Sequence, residues 1–157
     1  MKWICLILAL SCLLSACQKA ETDLSGEDAA RRVCAACGDG TLRRADDDFV
    51  TAVLGGTDRV SWAAIYLDTA DNGTEVGLLE AVDTVSVPLV KDAVSEYLAS
   101  ERRSVEALAA LYPGEELHAR LARFDGAIVA QRGLLVYYIL ADGARRDQIL
   151  HALTDGT

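Results

Sequence analysis

The stretch RRVCAACGDG, Arg31 to Gly40, places Cys34 and Cys37 three residues apart. That spacing serves covalent haem, zinc knuckles and dithiol redox couples. Haem attachment needs a histidine directly after the second cysteine to ligate the iron, and here that position is Gly38. A zinc site would have to recruit His118 and His151, which lie far apart and form no second ligand pair. His118, beside Glu115 and Glu116, reads instead as a solvated polar residue. Thiol–disulfide exchange stays open, because an oxidising compartment would let Cys34 and Cys37 form a disulfide. Catalytic thiols usually sit at a helix N-terminus, where the dipole lowers their pKa. Gly38 reads as a helix stop, which puts this pair at a C-terminus, with Arg31 and Arg32 as a partial offset. The plainer expectation is two small apolar side chains on a covered face, or a local staple.

A third cysteine, Cys17, belongs to different chemistry. The chain opens MKWICLILALSCLLSACQKA, with Lys2 as a minimal basic region and Trp3 to Leu14 as an apolar run broken only by Ser11. This layout predicts a secretory leader, residues 1–16, too short to span a bilayer. Leu14-Ser15-Ala16-Cys17 has the form of a bacterial lipobox. The Cys17 thiol would accept a diacylglyceryl group, and the new α-amino group a further acyl chain such as palmitate. At roughly 0.8 kcal/mol per buried CH₂, such an anchor holds the chain at the cell membrane or, in a two-membrane host, the outer membrane. Residues 17–25 are polar and without apolar periodicity, and are expected to form a tether.

The sequence carries 15 Lys and Arg against 24 Asp and Glu, a formal net charge of −9. Loss of Lys2 with the leader makes the mature chain one charge more acidic. Such a surface repels phosphate backbones and anionic head groups, which argues against a nucleic-acid partner and leaves membrane attachment to the lipid.

The elements follow from periodicity. Ser25 can cap a helix that carries Ala30, Val33, Cys34 and Cys37 on its apolar stripe. A second helix begins in Asp46-Asp47-Asp48, turns Phe49, Val50, Val53 and Leu54 inward, and ends at Gly55-Gly56. VSWAAIYL (Val60 to Leu67) and EVGLLEAV (Glu75 to Val82) read as a β-hairpin around Asp71-Asn72-Gly73. Asp68, Asp71, Asn72 and Glu75 lack the alternating oxygens of a calcium loop and are expected to be solvated turn residues. Ser86 is the expected cap of a long helix reaching Leu111. Its core stripe would be Val90, Val94, Tyr97, Leu98, Val105, Leu108 and Tyr112, with SERR (Ser100 to Arg103) in water. A short helix over Glu115 to Phe124 follows. AIVAQ (Ala127 to Gln131) and LLVYYILA (Leu134 to Ala141) form a second hairpin, and the last helix runs from Ala144 to Leu153. The second of these strands is apolar on both faces, which predicts a central, covered position. The expected fold is a single α+β domain over residues 26–157, an antiparallel sheet of two hairpins with helices mainly on one face.

GTEVGLLEA (Gly73 to Ala81), LYPGEEL (Leu111 to Leu117) and AIVAQRGLLVYYILAD (Ala127 to Asp142) together resemble small bacterial lipoproteins with a domain of unknown function, the DUF4358 type. The resemblance covers roughly Phe49 to Leu153 and rests on Glu75, Tyr112-Pro113 and Gly133. The long helix departs from the family pattern, which carries an Arg and a Gln there. The family implies an exported, lipid-anchored domain and no catalytic residue. The sequence itself holds no G-x-S-x-G, no phosphate-binding glycine loop and no H-E-x-x-H, and its carboxylates read as caps and solvated faces. No cofactor or metal is implied. The expectation is a non-enzymatic binding or scaffolding domain of the cell envelope, with an envelope protein as partner. The alternative is a redox protein using Cys34 and Cys37.

Overall fold

A strand that is apolar on both faces must be covered from both sides, and this requirement organises the domain. A computed structural model of the chain describes residues 23–38, 40–56, 58–70 and 73–154. The leader, Cys17, and the turn residues Asp71 and Asn72 lie outside them. In chain order the elements are α1 (Gly26–Cys37), β1 (Leu42–Arg44), α2 (Asp47–Leu54), β2 (Val60–Asp68) and β3 (Glu75–Ala81). Then come α3 (Ser86–Leu111), α4 (Glu115–Asp125), β4 (Ile128–Arg132), β5 (Leu135–Leu140) and α5 (Gly143–Thr154).

The strands form one antiparallel sheet in the order β1-β2-β3-β5-β4, so the α+β class and the two hairpins are as expected. β3 and β5 pair at the centre, and every residue of β5 is buried. The helices, however, divide between both faces rather than lying mainly on one. Val76 and Leu78 of β3, with Leu135, Tyr137 and Ile139 of β5, pack under α1 and α5. The alternate residues Leu79, Val136, Tyr138 and Leu140 pack under α3 and α4, beside α2. A strand apolar on both faces at the centre of the sheet, β5, leaves no face that water could occupy.

Local chemistry accounts for the helix ends. Ser25 Oγ accepts from the Asp28 N–H at 3.2 Å, and Asp46 Oδ1 accepts from the Phe49 N–H at 2.9 Å. Each side chain satisfies a backbone donor that has no partner within its helix. α2 ends at Gly55 in the left-handed conformation, φ 65°, which a residue without Cβ adopts at no steric cost. At α3 the cap differs from expectation. Asp83 Oδ1 accepts from the Ser86 N–H at 2.8 Å, so the capping side chain lies three residues before Ser86.

Three further differences concern packing. Strand β1, absent from the expected elements, is only three residues long and shows no alternation to read; it forms by pairing with β2, Arg43 opposite Leu67. Leu24, at the end of the expected tether, is buried in the α1–α5 core. The α3 stripe leaves the core before its end: Val105 is buried, but Leu108 and Tyr112 are exposed, Tyr112 to 71%. Periodicity alone does not report where a helix loses its cover, and here that is after Val105.

Candidate functional site

The expected thiol pair occupies the last turn of α1, with Cys37 its final helical residue and Gly38 the cap. Cys37 is buried and Cys34 partly so. From α5, Arg145 donates to the Cys37 carbonyl at 3.1 Å, and Gln148 donates to the Ala36 carbonyl at 2.5 Å. Side chains from another helix thus satisfy the carbonyls that α1 leaves without partners. Burial pushes the Cys37 thiol up, Arg145 beside it partly offsets this, and the Asp68 charge adds to the rise. A raised thiol at a helix C-terminus is the reverse of the environment that activates a nucleophilic cysteine. Asp68 itself is partly buried, with Oδ2 lacking a hydrogen-bond partner, rather than a solvated turn residue. His118 is exposed on α4. Among the described residues no three His, Cys, Asp or Glu side chains gather as metal ligands, so Cys34, Cys37, His118 and His151 are not brought together. Asp46 caps α2, and Asp47 and Asp48 lie in its first turn, where they complement the helix dipole.

The opposite face holds a constellation that the sequence did not single out. Glu75 opens β3, and its register partners are Leu67 on β2 and Leu140 on β5. Side-chain alternation sends Glu75, Gly77 and Leu79 to the α3 face together. There the carboxyl Oε1 of Glu75 accepts from the Tyr97 hydroxyl at 3.0 Å and also from the Tyr138 hydroxyl. Gly77 makes the second bond reachable. It pairs with Tyr138 across the strands, and the tyrosine ring lies over the space a Cβ would fill, with ring Cζ at 2.6 Å from that position. Phe49 of α2 meets Tyr97 edge-on at a centroid distance of 6.3 Å, and Tyr97 tilts against Tyr138 at 6.2 Å. An aromatic wedge from three elements therefore surrounds one carboxyl.

Glu75 is one wall of a cavity of about 260 Å³. Its row across the sheet, Arg43, Leu67, Glu75 and Leu140, supplies one side. Tyr97, Leu98 and Glu101 of α3, with Arg120 and Phe124 of α4, supply the other. Desolvation raises the Glu75 carboxyl above the usual carboxylate range, the two tyrosine hydrogen bonds lower it, and Glu101 and Arg120 act in opposite directions. Burial and the Glu75 charge push Tyr97 and Tyr138 far up, so both remain protonated donors. One carboxyl oxygen, Oε1, is held by two phenols. A concave site with a perturbed carboxyl and a few convergent polar groups is a candidate functional site.

This overturns the expectation that Glu75 is a solvated turn residue and that Glu101, within SERR, faces only water. Two signals were present in the sequence: an acid on the same strand face as Gly77 and Leu79, and Tyr137-Tyr138 inside an otherwise aliphatic strand. Compared with known proteins, the chain matches no family model, no curated protein and no solved structure.

Proposed function

We propose that this chain is an exported, lipid-anchored domain of the bacterial envelope whose work is to bind a small ligand in the Glu75 cavity. The observation that carries the binding role is the geometry of Glu75: one carboxyl oxygen is fixed by Tyr97 and Tyr138, and the group lines a cavity of about 260 Å³. Anchoring rests on Leu14-Ser15-Ala16-Cys17 and on the apolar leader before it. The resemblance to small bacterial lipoproteins points the same way. Among the described residues no helix is long and apolar enough to cross a membrane. The redox alternative through Cys34 and Cys37 ranks lower, since burial raises the Cys37 thiol at the wrong end of a helix.

Each half has its own test. Replacement Cys17→Ala should move the protein from the membrane to the soluble fraction; continued membrane fractionation would remove the lipid from the proposal. Thermal unfolding of the full chain against amines, carboxylates, zwitterions and sugars tests the cavity. A ligand at a hundredfold its Kd adds about 2.7 kcal/mol to stability. That gain should shrink in the Glu75→Gln variant. If no class of compound raises the melting temperature, the cavity is not a binding site.

A further inference from the structure

The charged groups around the cavity are of both signs, and among the described residues no ion pair joins them. Arg43 comes from β1, Glu75 from β3, Glu101 from α3 and Arg120 from α4. Ion pairs within 4.0 Å are common elsewhere on the molecule: Arg102 meets Glu106 at 3.0 Å and Asp125 at 2.9 Å, and Arg123 meets Asp142 at 3.1 Å. Among the described residues, none of the four cavity groups forms such a pair with any partner, although all face one space. Arg43 and Arg120 are exposed at the rim, whereas Glu75 and Glu101 are partly buried. Asp68 also borders the cavity as a fifth charged group: its Oδ1 accepts from the Ala70 N–H at 2.7 Å, while its Oδ2 is buried without a hydrogen-bond partner.

The backbone keeps these charges apart. Arg43 and Glu75 share a sheet face but lie two strands apart with Leu67 between them, about 10 Å at the usual strand spacing. Glu101 and Arg120 are carried by different helices above that row. A ligand of one sign would satisfy part of the lining, either the acids or Arg43 and Arg120, and face like charge from the rest. A ligand carrying both signs finds a partner on each side. The volume lies just under the range of about 300–1,000 Å³ common for ligand sites, which limits the occupant to a few heavy atoms beyond its charged ends. Leu98, Phe124 and Leu140 leave room for one short apolar substituent.

Resting on the cavity as a binding site, we propose that its ligand is a small zwitterion of amino-acid size. Its ammonium group is held by the carboxyl groups of Glu75 and Glu101, and its carboxylate by the guanidinium groups of Arg43 and Arg120. The Glu75 oxygen that the tyrosines leave open accepts from the ammonium group. Tyr97 and Tyr138 hold the other oxygen and fix the direction of the carboxyl. Arg43 and Arg120, exposed at the rim, face the carboxylate end.

Calorimetric titration of the full chain with L-alanine, L-leucine and L-phenylalanine tests this directly. Two half-ligands serve as controls: 3-methylbutylamine is leucine without its carboxylate, and 4-methylpentanoate is leucine without its amine. At least one amino acid should bind, and where leucine binds, each half-ligand should be at least about tenfold weaker. Glu101→Gln should weaken the amino acid and the amine while leaving the acid unchanged. Arg120→Gln should weaken the amino acid and the acid while leaving the amine unchanged. Both side chains are at or near the surface, so these variants should keep the wild-type melting temperature. A half-ligand that binds as tightly as leucine, or failure of all three amino acids while another compound class binds, overturns the zwitterion and leaves the cavity a binding site. Failure of every class removes the binding role itself.

Discussion

Replacing Gly77 with alanine puts a methyl group where the Tyr138 ring now lies. The added Cβ would stand 2.6 Å from ring Cζ and closer still to Cε1 and Cδ1, well inside ordinary contact. The ring is packed between α3 and the sheet and cannot swing aside freely, because Tyr97 lies 6.2 Å away on one side. Overpacking of this kind costs about 1–3 kcal/mol. If the ring moves, its hydroxyl also loses Glu75, and a hydrogen bond to an ionisable group contributes about 1.5–3 kcal/mol. The reduced backbone entropy of alanine in the unfolded chain returns only about 0.4–1 kcal/mol. These terms span about 1.5–5.5 kcal/mol, with about 2–4 kcal/mol the central expectation, read as a lower urea midpoint with an unchanged slope. The same substitution in a Tyr138→Val background meets no ring, since valine lacks every atom that causes the overlap and suits a strand. There Gly77→Ala should cost less than about 0.5 kcal/mol. The coupling between the two sites should then exceed about 1.5 kcal/mol, far above the additivity error of about 0.3–0.5 kcal/mol. Equal costs in both backgrounds would refute the claim that the missing Cβ exists to let Tyr138 reach Glu75.

Two further predictions concern titration. Because desolvation raises Glu75 in the folded chain, the folded state holds that proton more tightly than the unfolded state does. The associated stability is fully present below the ordinary carboxylate pKa and is lost as the pH rises through the folded value. Glu75→Gln, which cannot ionise, should therefore gain on the wild type between pH 4 and pH 8 in parallel urea titrations; a constant or reversed gap would show that the carboxyl is not desolvated. In a Cys34→Ser background, Cys37 should react with iodoacetamide at pH 7.5 at least about tenfold more slowly than a free thiol of pKa about 8.5. Burial and the raised thiol both act in that direction. Alkylation at the free-thiol rate would restore the redox alternative.

Elements whose signals are local agree closely with their sequence patterns. Asp46 and Gly55 bracket α2, and their capping and left-handed geometries depend only on neighbouring residues. Both hairpins appear, because alternation and turn residues report pairing between adjacent segments. β5 is central and wholly buried, as its doubly apolar pattern requires. Non-local features fared differently. β1 is too short to show a period and exists through its contact with β2. Capping of α3 passed from Ser86 to Asp83, since either residue type can cap and the path of the chain between them selects one. Glu75 followed the same rule: an acid beside a turn is usually solvated, and only the α3 helix laid over β3 takes water from it.

By itself the sequence determined the α+β class, the two hairpins and the apolar stripe of α1 that carries Ala30, Val33 and Cys37. Those features are written in periodicity, turn residues and short contiguous motifs. Tertiary structure alone decided that both sheet faces are covered, that Cys37 is a raised thiol under α5, and that Glu75, Tyr97 and Tyr138 meet. The physical reason is sequence distance. Tyr138 lies 63 residues from Glu75 and Tyr97 lies 22, and no local pattern encodes which side chains a sheet and a helix bring to the same carboxyl.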